Sequence, residues 1–333
     1  MEISYADRIA LEIGAAEWPW TPQTVYLGGG TPSQMEVPVL KRILAAVPGR
    51  PWIEATMESA PGTFDAERIA GWREAGINRV SLGVQSFIDS ELRRTGRKHT
   101  AAIVAADVAN LRAGGIDDFN IDLIAGLAGQ SLESWEQSLE LTLALNPPHV
   151  SVYMLEVDED SRLGLEILNN GGRYGARDIP GDEAIAAMYE RAAERLAAAG
   201  IPRYEISNFA EPGRESRHNL KYWQLEPYLG FGADAHSFAG GQRWQNVELA
   251  SDYVAAPNAK ASATTANPTE ERFFVGLRLS EGIAPTPAEW TAHQAVIERF
   301  LAEGLLERNE SRLWLTSRGI LLSNEVFQEF LAA

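Results

Sequence analysis

Five short runs of β-branched or alternating residues restrict the fold more than any other feature of this chain. They are TVYLG (24–28), PWIEATME (51–58), RVSLGV (79–84), FNIDLIAG (119–126) and HVSVYML (149–155). Between them lie segments of helical period, such as Leu40, Ile43 and Leu44, or Leu132, Trp135, Leu139 and Leu143. Strands alternating with helices indicate βαβ units and a parallel sheet, because a parallel crossover needs a dozen or more residues, commonly a helix. The expected architecture is α/β, a closed or partly closed barrel. Ser33, ahead of QMEVPVLKRIL, and Ser131, ahead of LESW, read as helix caps. A ligand is expected at the C-terminal ends of the strands, where a Gly-rich turn at 28–30 also falls.

With 333 residues, 45% hydrophobic and 23% charged, the chain has room for one large domain and a smaller one. The expected division is a barrel core at 1–160, a barrel-associated extension at 161–254 and a linker at 255–267. A C-terminal domain at 268–333 follows. There, amphipathic helices precede a polar hairpin with apolar flanks and a final helix, a winged-helix-like order. Such domains often bind DNA, but this one carries 6 Arg against 10 Glu, a net −4, and the whole chain is 29 − 46 = −17. That charge repels phosphate backbones and anionic lipid, so no nucleic-acid partner is expected. The N-terminus lacks a basic-then-apolar leader, and nowhere do 18 apolar residues run together. A soluble cytoplasmic protein is expected, with no sign of its oligomeric state. Zero Cys excludes disulfides, thiolate metal sites and a thiol nucleophile within these residues.

Candidate functional residues stand at strand ends. Gly28, Gly29 and Gly30 precede Thr31-Pro32, which lacks the Lys of a phosphate loop, so the turn is either a ligand cradle or only a tight turn. Glu54 and Glu58 share one face of a strand, a costly pairing unless it is hydrogen-bonded or holds a ligand. Gln85 and Asp122 are polar residues near the ends of apolar strands, either ligand contacts or satisfied buried groups. Arg97, in TGRKHT, can pair a carboxylate bidentately or be a surface arginine. RHNLKYW combines His218, Asn219, Tyr222 and Trp223, and Arg214, Arg217 and Lys221 outweigh Glu211 and Glu215 around it. An imidazole beside flat aromatic surface suits a conjugated macrocycle with an axial iron ligand and cations for its carboxylates. A His that is only a structural hydrogen-bonder is the competing reading.

These pieces occur in one order: YLGGGTPS, EATMESAPGT, NRVSLGVQSF, TGRKH, NIDLIAGLAGQ, HVSVYML, YEISNFA, RHNLKYW, YLGFGADAHS. The order closely resembles the HemW-type haem chaperones of the radical S-adenosylmethionine (SAM) superfamily, relatives of oxygen-independent coproporphyrinogen III oxidase. The resemblance covers the chain from about residue 5 onward. It implies a partial radical-SAM-type (β/α) barrel missing its first strand. It also implies that Gly28, Gly29, Gly30 and Thr31 receive the SAM amino group, with Glu58, Gln85, Arg97 and Asp122 around the rest of that cofactor. HNLKYW matches the HNxxYW motif associated with haem, with His218 as the metal ligand and Asn219, Tyr222 and Trp223 as haem contacts. The implied partners are haem and haem-acceptor proteins. Ser59-Ala60, Ala128 and Asp234 depart from the family pattern without removing a contact.

The serious departure is the family's CxxxCxxC strand, whose thiolates bind a 4Fe-4S cluster, because no Cys exists in this chain. Reductive SAM cleavage is therefore not expected here, and SAM should bind weakly. The expectation is that a cysteine-bearing segment belongs upstream of Met1. The alternatives are a degenerate cluster-free binding protein and a coproporphyrinogen-oxidase-like oxidoreductase.

Overall fold

The computed structural model describes residues 2–157, 161–169, 171–256 and 258–331. The chain forms two compact units, one of Met1–Val25, Glu36–Glu54 and Ser216–Ala333, the other of Tyr26–Met35 and Ala55–Glu215.

The second unit carries most of a six-stranded sheet whose order follows the sequence. Its strands are β1 (Thr24–Leu27), β2 (Glu54–Ser59), β3 (Arg79–Gln85), β4 (Asp118–Ala125), β5 (His149–Met154) and β6 (Asn208–Ala210). Strands β2 to β5 run parallel, and β6 closes antiparallel on β5. Helices Ala66–Ala75, Ala101–Ala113, Leu132–Ala144 and Asp182–Ala198 supply the connections. Their starts follow local chemistry: Asp65 and Thr100 accept the N–H of the third helical residue, and Ser131 forms a capping box with Ser134. The expected cap at Ser33 is not one. Ser33 lies inside a 3₁₀ turn, Pro32–Gln34, with its hydroxyl 3.0 Å from that of Thr63. The following helix starts at Val37, where Pro38 fits only the first turn.

The register divides the sheet into two chemically different faces. One face presents Ala55, Met57, Val80, Leu82, Val84, Phe119, Ile121, Leu123, Val150 and Val152, none more than 1% exposed. Helical residues Ile69, Trp72, Val104, Val108, Trp135 and Leu139 are equally buried. Each such large side chain contributes about 1.5–3 kcal/mol of burial. The opposite face carries Glu58, Ser81, Asn120, Asp122, His149 and Ser151. Parallel sheets are ordinarily apolar on both sides. A polar face is tolerated only if its groups find partners.

Residues 158–160, at the expected domain boundary, and Asn170 lie outside the described residues. The expected extension opens with a helix, Arg162–Leu168, and a 3₁₀ turn, Arg173–Asp178.

In the first unit, helix Glu2–Ala15 is tied down by Glu12. That carboxylate accepts from Tyr253 Oη (2.5 Å), Asn246 Nδ2 (2.8 Å) and Gly232 N (3.1 Å). Strands β7 (His236–Ala239), β8 (Gln242–Asn246) and β9 (Lys260–Thr265) form an antiparallel sheet. β9 falls in the stretch read as a linker. Its small polar composition suits a fully exposed outer strand, which pairs with β8 through its backbone; Pro257 of that stretch is outside the described residues.

The C-terminal region holds helices Pro268–Gly276, Pro287–Ala292 and Gln294–Ala302, then a hairpin of β10 (Leu306–Arg308) and β11 (Leu313–Leu315). Helices Ser317–Leu321 and Ser323–Leu331 complete it. Its core stacks Phe273 on Phe330 with centroids 4.9 Å apart. Among the described residues no helix is long and apolar enough to cross a membrane.

Candidate functional site

The three glycines after β1 do different work. A Cβ on Gly28 would stand 2.9 Å from the Tyr26 ring and 3.0 Å from Glu58 Oε1, so Gly28 makes room for the protein's own side chains. Gly29 and Gly30 have φ of 79° and 66° and open space where a Cβ would be, which leaves bare backbone. Glu58 Oε1 accepts from Tyr26 Oη at 2.7 Å, and Oε2 lies 3.3 Å from Gly29 N. Burial and this carboxylate push the Tyr26 phenol up, so it stays a donor. Thr31 precedes the 3₁₀ turn and its side chain makes no capping bond.

From Glu58 the polar face continues as a directed hydrogen-bond chain. Asn120 Nδ2 donates to Asp122 Oδ1 (2.6 Å) and to Ser81 Oγ (2.7 Å), while Ser81 Oγ donates to Asp122 Oδ2 (3.1 Å). Asn120 Oδ1 must then accept, so His149 Nδ1, 2.7 Å away, carries the proton. Burial, with Arg79 adding, lowers the imidazole well below its usual range, so His149 is neutral and Nε2 accepts from Tyr204 Oη at 2.9 Å. Ser151 donates to Asn208 Oδ1 at 2.7 Å. The chain ends on Asp122, whose carboxyl burial pushes up to about 6 despite hydrogen bonds from Ser81 and Asn120. Glu58 raises it further. Replacing His149 with Phe removes both the donor to Asn120 and the acceptor of Tyr204. A loss of about 2–3 kcal/mol is expected in urea unfolding. His149→Asn, which keeps a donor near the Nδ1 position, should recover part of it.

Gln85 ends β3 with φ of 69°, at an irregularity in the β3–β4 register, and its buried Oε1 has no hydrogen-bond partner among the described residues. A non-glycine residue held left-handed with an orphaned acceptor is strain that a donor-bearing ligand would justify. Arg97 is half-buried in the loop after helix Asp89–Arg94. It forms no ion pair among the described residues, and its charge adds to the burial that keeps His99 neutral. The structure thus joins the Gly29 backbone, Glu58 and Asp122 electrostatically. It does not link the Arg97 guanidinium to them by hydrogen bond or ion pair.

In the other unit, RHNLKYW is one helix, Arg217–Trp223, capped by Ser216, whose Oγ accepts from Asn219 N at 3.3 Å. Glu54 is 5% exposed and holds the helix start, accepting from Ser216 Oγ (3.0 Å), Arg217 N (2.8 Å) and His218 N (3.0 Å). His218 Nδ1 lies 2.9 Å from Thr24 Oγ1 and Nε2 lies 2.9 Å from Tyr222 Oη. Burial lowers its pKa to about 4 against the raising effect of Glu54, so the imidazole is neutral at pH 7. Trp223 lies under Arg278 at 4.6 Å. Lys221 pairs with Glu226, and in the sheet unit Arg214 lies 3.9 Å from Asp118. Among the described residues no group of three or more His, Asp or Glu could hold a metal ion.

Tyr26, Ser81, Asn120, His149, Ser151 and Asn208 were not singled out from sequence. For Ser81, Asn120, His149 and Ser151 the signal was the two-residue alternation of polar and apolar positions in RVSLGV, DFNIDLIA and HVSVYM.

The fold is shared with a solved structure at low sequence identity. Coproporphyrinogen III oxidase (HemN) from Escherichia coli, described as a radical SAM enzyme, superposes with a TM-score of 0.82. The superposition covers 99% of this chain and 83% of that one at 20% identity. The profile described as Radical SAM superfamily matches residues 3–142, and that described as HemN C-terminal domain matches 264–322. The fold is therefore that of the radical SAM superfamily. "Heme chaperone HemW" of Bacillus subtilis (strain 168) is 36% identical over 93% of this chain and 85% of its own length. The protein of the same description from Mycobacterium tuberculosis (strain H37Rv) is 34% identical over 97% and 85%. The chain belongs to the HemW family.

Proposed function

We propose that this chain is a haem-binding chaperone that passes haem to acceptor proteins. The observation that carries the reading is the placement of His218, Tyr222 and Trp223 on one helix, in a chain whose relatives are described as haem chaperones. His218 is the assigned iron ligand: its neutral imidazole has a lone pair at pH 7, and coordination through Nε2 takes the place of the Tyr222 hydrogen bond. Asn219, Tyr222 and Trp223 are assigned to the ring, and Arg217 and Lys221 to its carboxylates.

The orphaned Gln85 Oε1 and the open Gly29–Gly30 backbone support a second ligand, SAM. It would be held by Gly28, Gly29, Gly30, Thr31, Glu58, Gln85, Arg97 and Asp122. When bound, SAM supplies a zwitterionic methionyl group and a sulfonium. The side chains and backbone of this chain would orient it. The donor set for a 4Fe-4S cluster is not present in these 333 residues, which contain no thiolate, and no step through a cluster is assigned. The hairpin β10–β11 between helices supports a winged-helix-like reading of 268–333. Its net charge of −4 favours a lid or structural role over DNA binding.

Haemin titration tests the chaperone reading. A saturable Soret shift is expected, with His218→Ala moving the band and weakening affinity at least tenfold, and His293→Ala, in the C-terminal region, having little effect. Drift without saturation in the unmutated protein would refute haem binding. An unchanged titration for His218→Ala would remove that residue as the ligand.

A further inference from the structure

Beside the Arg217–Trp223 helix lies a cavity of about 390 Å³, formed wholly within the first unit. Its walls include Tyr222, Trp223, Tyr228, Phe238, Phe274 and Val275. Five of these six are aromatic. Tyr228 meets Tyr222 edge-on, with centroids 4.7 Å apart and planes at 90°, and Phe238 follows at 6.5 Å.

The charged wall residues are already matched. Arg243 binds Glu271 through both carboxylate oxygens, with Nε 3.1 and 3.0 Å from them, and lies 4.4 Å over Phe238. The cavity therefore presents uncharged aromatic surface and does not recruit an ion. One donor is left over: the buried Trp223 Nε1 has no hydrogen-bond partner among the described residues.

We propose that this cavity receives the carboxylate-free edge of a porphyrin ring, with residues of the C-terminal helices Pro268–Gly276 and Ser323–Leu331 completing the site. The inference rests on the haem reading above and deepens it. The volume lies at the lower end of small-ligand pockets, about 300–1,000 Å³, so one edge of the macrocycle fits and the rest stays outside. Aromatic edges and faces at these spacings match a flat conjugated ring better than an aliphatic chain. The neutralised Arg243–Glu271 pair favours the methyl- and vinyl-bearing edge over the propionates, which remain outside near the exposed Arg217. The C-terminal region thereby acquires a ligand-binding role that its charge denies it toward DNA.

Metal-free protoporphyrin IX isolates the ring from the iron. The unmutated protein should bind it saturably, read by porphyrin fluorescence. Val275→Trp, which fills the cavity, and Leu331→Trp, at an exposed position on its rim, should each weaken binding at least tenfold. Leu331 is 48% exposed, so that variant should keep the fold, checked by circular dichroism. Equal porphyrin binding by wild type and both tryptophan variants would overturn the cavity and leave haem binding intact. Binding of haemin without binding of protoporphyrin would do the same, since iron ligation would then carry the affinity. Saturable binding of neither would refute the haem reading, and the cavity assignment would fall with it.

Discussion

Glu54→Ala is expected to destabilise the protein by about 3–5 kcal/mol, the largest loss from any single polar side chain in the site. The carboxylate is almost fully buried and takes hydrogen bonds from Ser216 Oγ, Arg217 N and His218 N. Alanine removes the acceptor shared by these three donors, one of them buried and two part-buried, and each lost hydrogen bond costs about 1–3 kcal/mol, partly recovered where water enters. Because two of the donors are backbone groups of the first turn of the motif helix, the damage falls on the orientation of His218. Urea unfolding should show the lower midpoint, and haemin titration should show weakened binding in the fraction still folded. Glu54→Gln retains one acceptor oxygen and should lose about half as much. A Glu54→Ala protein within 1 kcal/mol of wild type would mean that the helix start is held by something other than this carboxylate.

Asp122→Asn is expected to act in the opposite direction. Burial raises the folded-state pKa of Asp122 from 3.8 to about 6, so the folded state holds the proton more tightly than the unfolded chain. Above pH 7 the ionised carboxylate therefore costs stability, and the cost disappears as the pH falls through 6 toward 3.8. The asparagine variant should be more stable than wild type by about 1–3 kcal/mol at pH 8, a range reduced for the partial exposure of the group. The gap should close below pH 4. Thermal or urea unfolding from pH 4 to 8 reads this directly. A gap independent of pH would show that the substitution acts through packing, and a less stable variant at pH 8 would show that the hydrogen bonds outweigh desolvation. A more stable protein that has lost an acceptor from its polar face is the usual signature of a residue kept for binding.

The strands were legible because their outward positions are apolar at every second residue: β3, β4 and β5 lie within a residue or two of the runs that announced them. Ser131 was legible as a cap because capping is local chemistry. Ser33 was not, because the choice between a cap and a 3₁₀ turn depended on Pro32, Pro38 and a hydroxyl 30 residues away at Thr63. The strand β9 was hidden for a related reason. KASATT has no apolar face of its own, and it is a strand because β8 offers it hydrogen bonds. Among site residues, Glu58, Asp122 and Gln85 were visible as polar interruptions of apolar strands. The Tyr204–His149–Asn120 chain was not, since 55 residues separate Tyr204 from His149 and nothing local announces their meeting. Glu54 was noticed for its carboxylate. That it anchors a helix more than 160 residues further on is information only the tertiary structure contains.

The two-faced sheet has a consequence for anyone reading a mutational scan of this protein. Along β4, damage at Phe119, Ile121 and Leu123 should appear as missing protein, because those side chains form the seam with the helices. Damage at Asn120 and Asp122, one step away in each case, should appear as protein that accumulates and yet performs poorly. The same stripe should recur on β3 at Val80 and Leu82 against Ser81, and on β5 at Val150 and Val152 against Ser151. Abundance and activity would thus be inherited on alternate codons, and a library scored for both traits would trace the pleat of each strand without reference to coordinates.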